Sequence, residues 1–291
     1  MEVFSPDACP RFTGAGQACV RNTVKNSRCT ACVDACPTGA VTLSATGMIA
    51  INPQACIGCG YCFFNCPTGA VEGIATVQRP YRGDRLVMPL SAIVPCTEEL
   101  LMWHSEYGIR YVEMEPDSAS AWFQAIAVLN IRLKEMCEPL WSVLPPCPDA
   151  LNGSRRRWLQ LKKAGCASGS VAAGGRARRA LFTQISEYRP DLDKDRCSLC
   201  GACVRVCPEK AIRLENSELM LNPIKCTGCG NCEAVCFEKA IVAHEAGSTA
   251  PTVYGVEQVR CRICHRDFHA WSLREDKCPV CRRHTFGMRE A

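Results

Sequence analysis

The amino-acid sequence predicts an α+β chain of several small domains rather than one large core. Three observations lead there. Of the 25 cysteines in 291 residues, fifteen fall into four copies of one spacing. The copies form two pairs, with a cysteine-poor apolar stretch between them, and four further cysteines make a separate clip towards the carboxyl end. A chain of this length has room for two or three small domains.

The four copies read Cys29-x2-Cys32-x3-Cys36, Cys56-x2-Cys59-x2-Cys62-x3-Cys66, Cys197-x2-Cys200-x2-Cys203-x3-Cys207 and Cys226-x2-Cys229-x2-Cys232-x3-Cys236. Three end in Cys-Pro, at Pro37, Pro67 and Pro208. Each is followed by an alanine and a β-branched residue: Ala40-Val41, Ala70-Val71, Ala211-Ile212 and Ala240-Ile241. The first pair recurs about 170 residues later, Cys36 matching Cys207 and Cys66 matching Cys236. Self-similarity at a fixed offset argues for a duplicated unit.

Iron–sulfur clusters are held by cysteine thiolates, and this run is how they are supplied. Residues 15–78 and 190–246 resemble the bacterial two-cluster [4Fe-4S] ferredoxin. The resemblance implies two ferredoxin-like two-cluster domains. In that family the fourth cysteine of each run ligates the other cluster. It therefore implies three crossed sets: Cys56, Cys59 and Cys62 with Cys36; Cys226, Cys229 and Cys232 with Cys207; Cys197, Cys200 and Cys203 with Cys236. The first motif departs, because Asn26 stands three residues before Cys29. Cys19, Cys9 or a three-iron cluster would resolve this. Cys19 is nearest and can loop back, which favours Cys19, Cys29, Cys32 and Cys66. In the fourth motif Phe237 replaces proline and removes no ligand.

A secreted disulfide scaffold is the alternative for so many cysteines. Residues 1–14 show no positively charged region followed by an apolar core. Cysteines two and three apart, repeated four times, also make a poor disulfide framework. With no run of 18 apolar residues, a cytoplasmic protein without membrane insertion is expected.

The domain limits expected are 1–80 and 188–250 for the ferredoxin domains, with 81–149, 150–187 and 251–291 for the other parts. Between residues 81 and 149 a small parallel α/β segment is expected. Strands are read at Arg85–Leu90, Ile109–Glu115 and Leu140–Leu144. One helix follows Thr97 as N-cap, and a longer one, capped by Ser118, runs to about Cys137. Its apolar stripe is Trp122, Ile126, Leu129 and Leu133. Cys96 falls between a strand end and a helix start, where the helix dipole would lower its thiol pKa. A structural cysteine is the plainer reading there. Cys137 and Cys147 flank a proline-rich stretch and form only a lone pair. His104 is read as a surface or packing residue.

The net charge is +5, but residues 150–186 carry eight basic and no acidic side chains, leaving the remainder at −3. This stretch surrounds a small-residue run, 164–175, which reads as a basic flexible linker. It contains no G-x4-G-K-[ST] loop. Cys166 lies inside it and has no assigned role.

Near the end, Cys261-x2-Cys264 and Cys278-x2-Cys281 are 13 residues apart. Four thiolates so arranged suit a closed tetrahedral zinc site, and a tail this short needs such a staple. It looks like a zinc ribbon. A rubredoxin-like mononuclear iron site is the rival, disfavoured because His265 and Arg282 stand where rubredoxins carry glycine. Covalent haem on Cys261-x2-Cys264-His265 is disfavoured by the second knuckle. Basic residues interleaved with Phe268, Trp271 and Phe286 could face nucleic acid, but in so small a module they suit a core and an acidic protein partner.

The resulting expectation is a polyferredoxin with up to four [4Fe-4S] clusters, serving as the electron-transfer subunit of an oxidoreductase and not as an independent enzyme. Its partner would be a redox enzyme's catalytic subunit or another electron carrier. The alternative is a redox-responsive regulator or assembly factor, using the basic linker and ribbon to bind nucleic acid or protein. A weaker third reading makes Cys96 a nucleophile or ligand of the α/β segment.

Overall fold

The computed structural model describes residues 14–74, 76–115, 120–146, 166–172, 174–245 and 249–283. Cys9, Cys147, Ser118, Phe286 and most of the basic stretch lie outside the described residues. The chain divides into two compact units: Met1–Cys19 with Thr30–Leu181, and Val20–Cys29 with Phe182–Ala291. The short helix α1 (Val20–Thr23) groups with the second.

In the first unit, α2 (Ala31–Asp34) precedes an antiparallel hairpin of β1 (Val41–Leu43) and β2 (Ile49–Ile51), and α3 (Tyr61–Phe64) follows. An isolated bridge joins Ala15 to Val71, and the Gly16 amide donates to the Ala70 carbonyl at 2.7 Å. The chain start is thereby laid against the end of the second motif. Val41, Ala70 and Val71 share one core with Cys19, Cys32, Cys62 and Cys66. Packing within that core accounts for the alanine and β-branched pair seen after the motifs, since only small or flat side chains fit beside the sulfurs.

The α/β part of the same unit comprises β3 (Arg79–Arg82), β4 (Arg85–Leu86), α4 (Thr97–Glu106), β5 (Tyr111–Glu113), α5 (Ser120–Glu135) and β6 (Ser142–Leu144). Strands β4, β5 and β6 run parallel, with Leu86 opposite Val112 and Val112 opposite Val143. Two antiparallel strands extend this sheet, β3 and then the edge strand β7 (Ala167–Gly169), giving the order β6-β5-β4-β3-β7. The sheet is mixed where an all-parallel one was expected. The strand expected over 85–90 stops at Leu86; Pro89 has no amide for a ladder. Cys96 is the N-cap of α4, and Thr97 its first helical residue. The Trp122, Ile126, Leu129 and Leu133 stripe is buried as expected.

Strand β7 and the helix α6 (Gly174–Leu181) come from the stretch expected to be a tether. The described part of that linker is structured because its small residues permit close packing, and a solvated coil is the wrong description of it. Glycine and alanine runs read as flexible only when nothing is packed against them.

Two buried polar clusters pin the α/β part. Arg79 and Glu99, both about 2% exposed, form a bidentate pair, Nε to Oε1 at 2.5 Å and Nη2 to Oε2 at 2.9 Å. The guanidinium also donates to the Ile93 carbonyl at 3.1 Å and lies 5.4 Å from the Trp122 ring. His104 is buried, which decides the surface-or-packing reading in favour of packing. Its Nδ1 accepts the Trp141 indole N–H at 3.0 Å, and Nε2 lies 3.3 Å from Glu138. Helix α4 is buried on nearly every face, so no polar stripe betrayed the histidine's side.

The second unit repeats the first plan with longer strands. β8 (Tyr188–Leu192) is followed by α7 (Ala202–Val206), β9 (Ile212–Glu215), β10 (Glu218–Leu221), α8 (Asn231–Val235) and β11 (Ile241–Glu245). β8 pairs antiparallel with β11, and β9 with β10. β12 (Thr252–Gly255) adds a third strand against β10. The carboxyl-terminal module is the hairpin β13 (Glu257–Arg260) and β14 (Asp267–Ala270), then α9 (Pro279–Arg283).

Removing one partner of a buried ion pair strands the other charge, at a cost of about 3–5 kcal/mol. Glu99→Ala should lower the stability of the first unit by that order in urea unfolding. Burial chiefly, and Arg110 next, depress the His104 pKa below its ordinary 6.5, against the opposing Glu138. The unfolded chain then binds the extra proton first, so stability should fall as pH drops below 6.5. Urea midpoints measured across pH should show this fall in the wild type and lose that component in His104→Gln.

Candidate iron–sulfur and metal sites

The cysteines of each motif are carried on a loop, a short helix and a turn. Gly60, Gly201 and Gly230 cap the helices with φ of 77°, 70° and 72°. That left-handed turn folds the loop back so that the flanking cysteines converge. In the first motif Thr30 takes this place with φ of −124°. The motif with a missing ligand thus also lacks the turn.

Crowding is plain from the thiol acidities. Cys62 is pushed up to about 12, by burial first and then by Cys59, Cys36 and Cys56. Burial, then Cys197, Cys200 and Cys236, pushes Cys203 up to about 12. Cys229 rises to about 11 through burial and the charges of Cys207, Cys226 and Cys29, against an amide hydrogen bond from Asn231. Burial, then Cys226 and Cys229, raises Cys232. Cys29 apart, the cysteines named for Cys62, Cys203 and Cys229 are those of one crossed set each. Four thiolates so close repel one another, and only a cationic centre makes their joint ionisation favourable. Cys197, Cys200, Cys203 and Cys236 line one hollow, and Cys207, Cys226, Cys229 and Cys232 another. The donor sets therefore fit iron–sulfur clusters in chemistry and arrangement.

Backbone amides supply part of the missing positive charge. The Ala70, Ala211 and Ala240 amides donate to the sulfurs of Cys66, Cys207 and Cys236 at 3.1, 3.2 and 3.2 Å. Cys36 is raised by burial, but hydrogen bonds from Val41, Thr38 and Ala40 outweigh this and leave its pKa lowered. The repeated alanine thus places an amide on the fourth thiolate. For the first set, Cys19, Cys32 and Cys66 share the core of the first unit, and Cys29 belongs to the Val20–Cys29 segment.

Cys261, Cys264, Cys278 and Cys281 bring their sulfurs within 4.8 Å of one another. Cys264 and Cys278 are 3.8 Å apart, which matches the edge of a tetrahedron with metal–sulfur bonds of about 2.3 Å. The Cys278 amide donates to the Cys261 sulfur, and that of Cys281 to the Cys278 sulfur, both at 3.4 Å. The aromatic residues described in this module are half-buried and packed against cores. Phe268 packs on the cluster of Cys261, Cys278 and Cys281, and Trp271 packs on the core of the ferredoxin-like domain. Several of its basic residues are paired: Arg262 with Asp276, Arg282 with Glu275, and Arg283 with Glu238.

Cys96 and Cys137 belong to none of these groups. Cys96 does not have the lowered pKa expected of a helix start, because burial and the carboxylates of Glu98 and Glu99 push the thiol up. Cys137 is exposed beyond α5.

Sequence reasoning missed the residues that grip the ligand loops. The Gly175 amide donates to the Cys66 carbonyl at 2.9 Å, and buried Arg178 donates to the Phe64 carbonyl at 2.7 Å. Trp271 donates its indole N–H to the Cys197 carbonyl at 2.6 Å, under the Lys194 ammonium at 5.1 Å. A Gly-Gly pair ahead of a basic helix was the available signal for the first grip. Nothing local signalled the second.

Residues 27–70 and 189–237 each match a family described as a 4Fe-4S dicluster domain. The chain therefore carries two ferredoxin-type iron–sulfur domains of the electron-transport class. Cys19 lies outside the first match. Over 31 residues the chain is 45% identical to one component of the ion-translocating oxidoreductase complex of Methanosarcina acetivorans. That stretch is 11% of this chain and spans only 12% of the relative. Among the described residues, no helix is long and apolar enough to cross a membrane.

A methyl group at Gly174, where φ is +87°, would meet the Gly69 Cα at 3.0 Å and the Cys66 carbonyl at 3.1 Å. Both are backbone atoms that cannot turn aside. Gly174→Ala should therefore destabilise the first unit by about 1–3 kcal/mol, read as a lower urea midpoint.

Proposed function

We propose that this chain is a polyferredoxin that relays single electrons to or from a separate redox enzyme through up to four [4Fe-4S] clusters. The observation that carries the reading is the crossed grouping of the thiols. Each of three sets takes three cysteines from one motif and the fourth from its partner. The assigned ligands are Cys36, Cys56, Cys59 and Cys62; Cys197, Cys200, Cys203 and Cys236; Cys207, Cys226, Cys229 and Cys232. Cys19, Cys29, Cys32 and Cys66 form the fourth set. Clusters so held exchange one electron each. The protein's part is to bury them, to direct amides at their sulfurs and to hold the two of a domain on shared motifs.

Residues 1–80 and 188–250 are taken as the cluster domains, 81–149 as an α/β support and 251–291 as a zinc ribbon on Cys261, Cys264, Cys278 and Cys281. Zinc is preferred over mononuclear iron because His265 and Arg282 replace the glycines of rubredoxin-like knuckles. The partner is a catalytic subunit or another carrier, and the likeness to a component of an oxidoreductase complex supports an electron-transfer partner. We place it in the cytoplasm, where thiols stay reduced. The regulator alternative loses support, since Arg178, one of the described linker arginines, is buried in the fold and the ribbon's Phe268 and Trp271 pack against cores.

Anaerobically purified protein should hold about 16 iron atoms, four per cubane cluster, with one zinc. Cys36→Ser should remove the cluster on Cys56, Cys59 and Cys62 and spare the one that uses Cys29. Iron analysis with electron paramagnetic resonance checks both, and loss of the Cys29 cluster instead would sink the crossed assignment.

A further inference from the structure

Asn231 is fully buried, yet neither atom of its side-chain amide has a hydrogen-bond partner in the protein. The buried Thr227 hydroxyl is in the same position. A buried polar group without a partner costs roughly 1–3 kcal/mol, so two in one hollow require a reason. Both residues line the hollow formed by Cys207, Cys226, Cys229 and Cys232. Glu209 and Lys225 also line it, and the four cysteines contribute sulfur atoms, which accept hydrogen bonds and are electron-rich.

We propose that Asn231 and Thr227 donate hydrogen bonds to the cluster assigned to these four cysteines and make it the easier of the domain's two clusters to reduce. The inference rests on the ligand assignment above. An added electron increases the negative charge on the cluster sulfurs. A donor facing them is held more strongly in the reduced state, so reduction becomes more favourable.

The repeats provide the comparison. At the position of Asn231 the other motifs have Ala31, Tyr61 and Ala202. Tyr61 spends its hydroxyl on the Val94 carbonyl at 2.7 Å. At the position of Thr227 the second motif has Ile57 and the third has Ser198, whose buried hydroxyl also lacks a partner. Within the second domain the Cys197 set thus has one side-chain donor against two. Glu233 opposes the effect, since its carboxylate lies near Cys232. It accepts the Ala243 amide at 2.7 Å, and the variants below leave it in place.

The test is a potentiometric titration of the anaerobic full-length protein, followed by electron paramagnetic resonance, in wild type, Asn231→Leu, Thr227→Val and Ser198→Ala. With iron content unchanged, Asn231→Leu should move one reduction wave to more negative potential, weakening reduction about tenfold, or about 59 mV for one electron. Thr227→Val should move the same wave by less, and Ser198→Ala a different one. The proposal is overturned if no wave moves, or if Asn231→Leu and Ser198→Ala move the same wave. Should Asn231→Leu lose a cluster, the shape-conserving Thr227→Val decides by the same criteria. If Cys207→Ser leaves the iron content at the wild-type level, the ligand assignment itself fails and the inference falls with it.

Discussion

Everything in this molecule follows from the difficulty of burying four thiolates side by side. Apolar surroundings and like charges both favour the protonated thiol, as the raised Cys62, Cys203 and Cys229 pKa values record. The sets are chemically sensible only around a cationic centre. That requirement explains why the cysteines come in pairs of motifs. On the proposed assignment neither motif closes a set alone, so the two halves of each domain would have to fold together.

The backbone does the fine adjustment. Where the second motif has Gly69 at φ of 63°, the later two have Lys210 and Lys239, both at 51°. The turn after the fourth cysteine is kept even without glycine, because it delivers the Ala211 and Ala240 amides to sulfur. A left-handed lysine costs strain, and a charge-assisted amide hydrogen bond to a thiolate offsets it.

Each unit also carries an added module that grips a ligand loop from its own side. In the first, Gly175 and Arg178 bind the carbonyls of Cys66 and Phe64. In the second, the ribbon's Trp271 binds the carbonyl of Cys197, while Arg283 pairs with Glu238 and covers Phe237 beside Cys236. Such grips fix backbone that would otherwise be an exposed loop. They tie cluster geometry to modules with little sequence signal of their own.

The sequence alone determined the chemistry. Cysteine spacing is a covalent fact, and it marked the motif cysteines, the carboxyl-terminal clip and the duplication before any fold was known. Helical periodicity likewise marked the Trp122, Ile126, Leu129 and Leu133 face. Only the tertiary structure decided which polar residues are buried, because burial depends on what the rest of the chain places over a residue. His104, readable as surface or packing, is buried against Trp141; Cys96, at a helix start, has its thiol pKa pushed up rather than down; Ala167–Gly169 and Gly174–Leu181, within a stretch that reads as a tether, form a strand and a helix. Asn231 and Trp271 showed no local pattern. The Trp271 partner, the Cys197 carbonyl, lies in another module, and the burial of Asn231 depends on what the fold packs around it, so neither could be read from neighbouring residues.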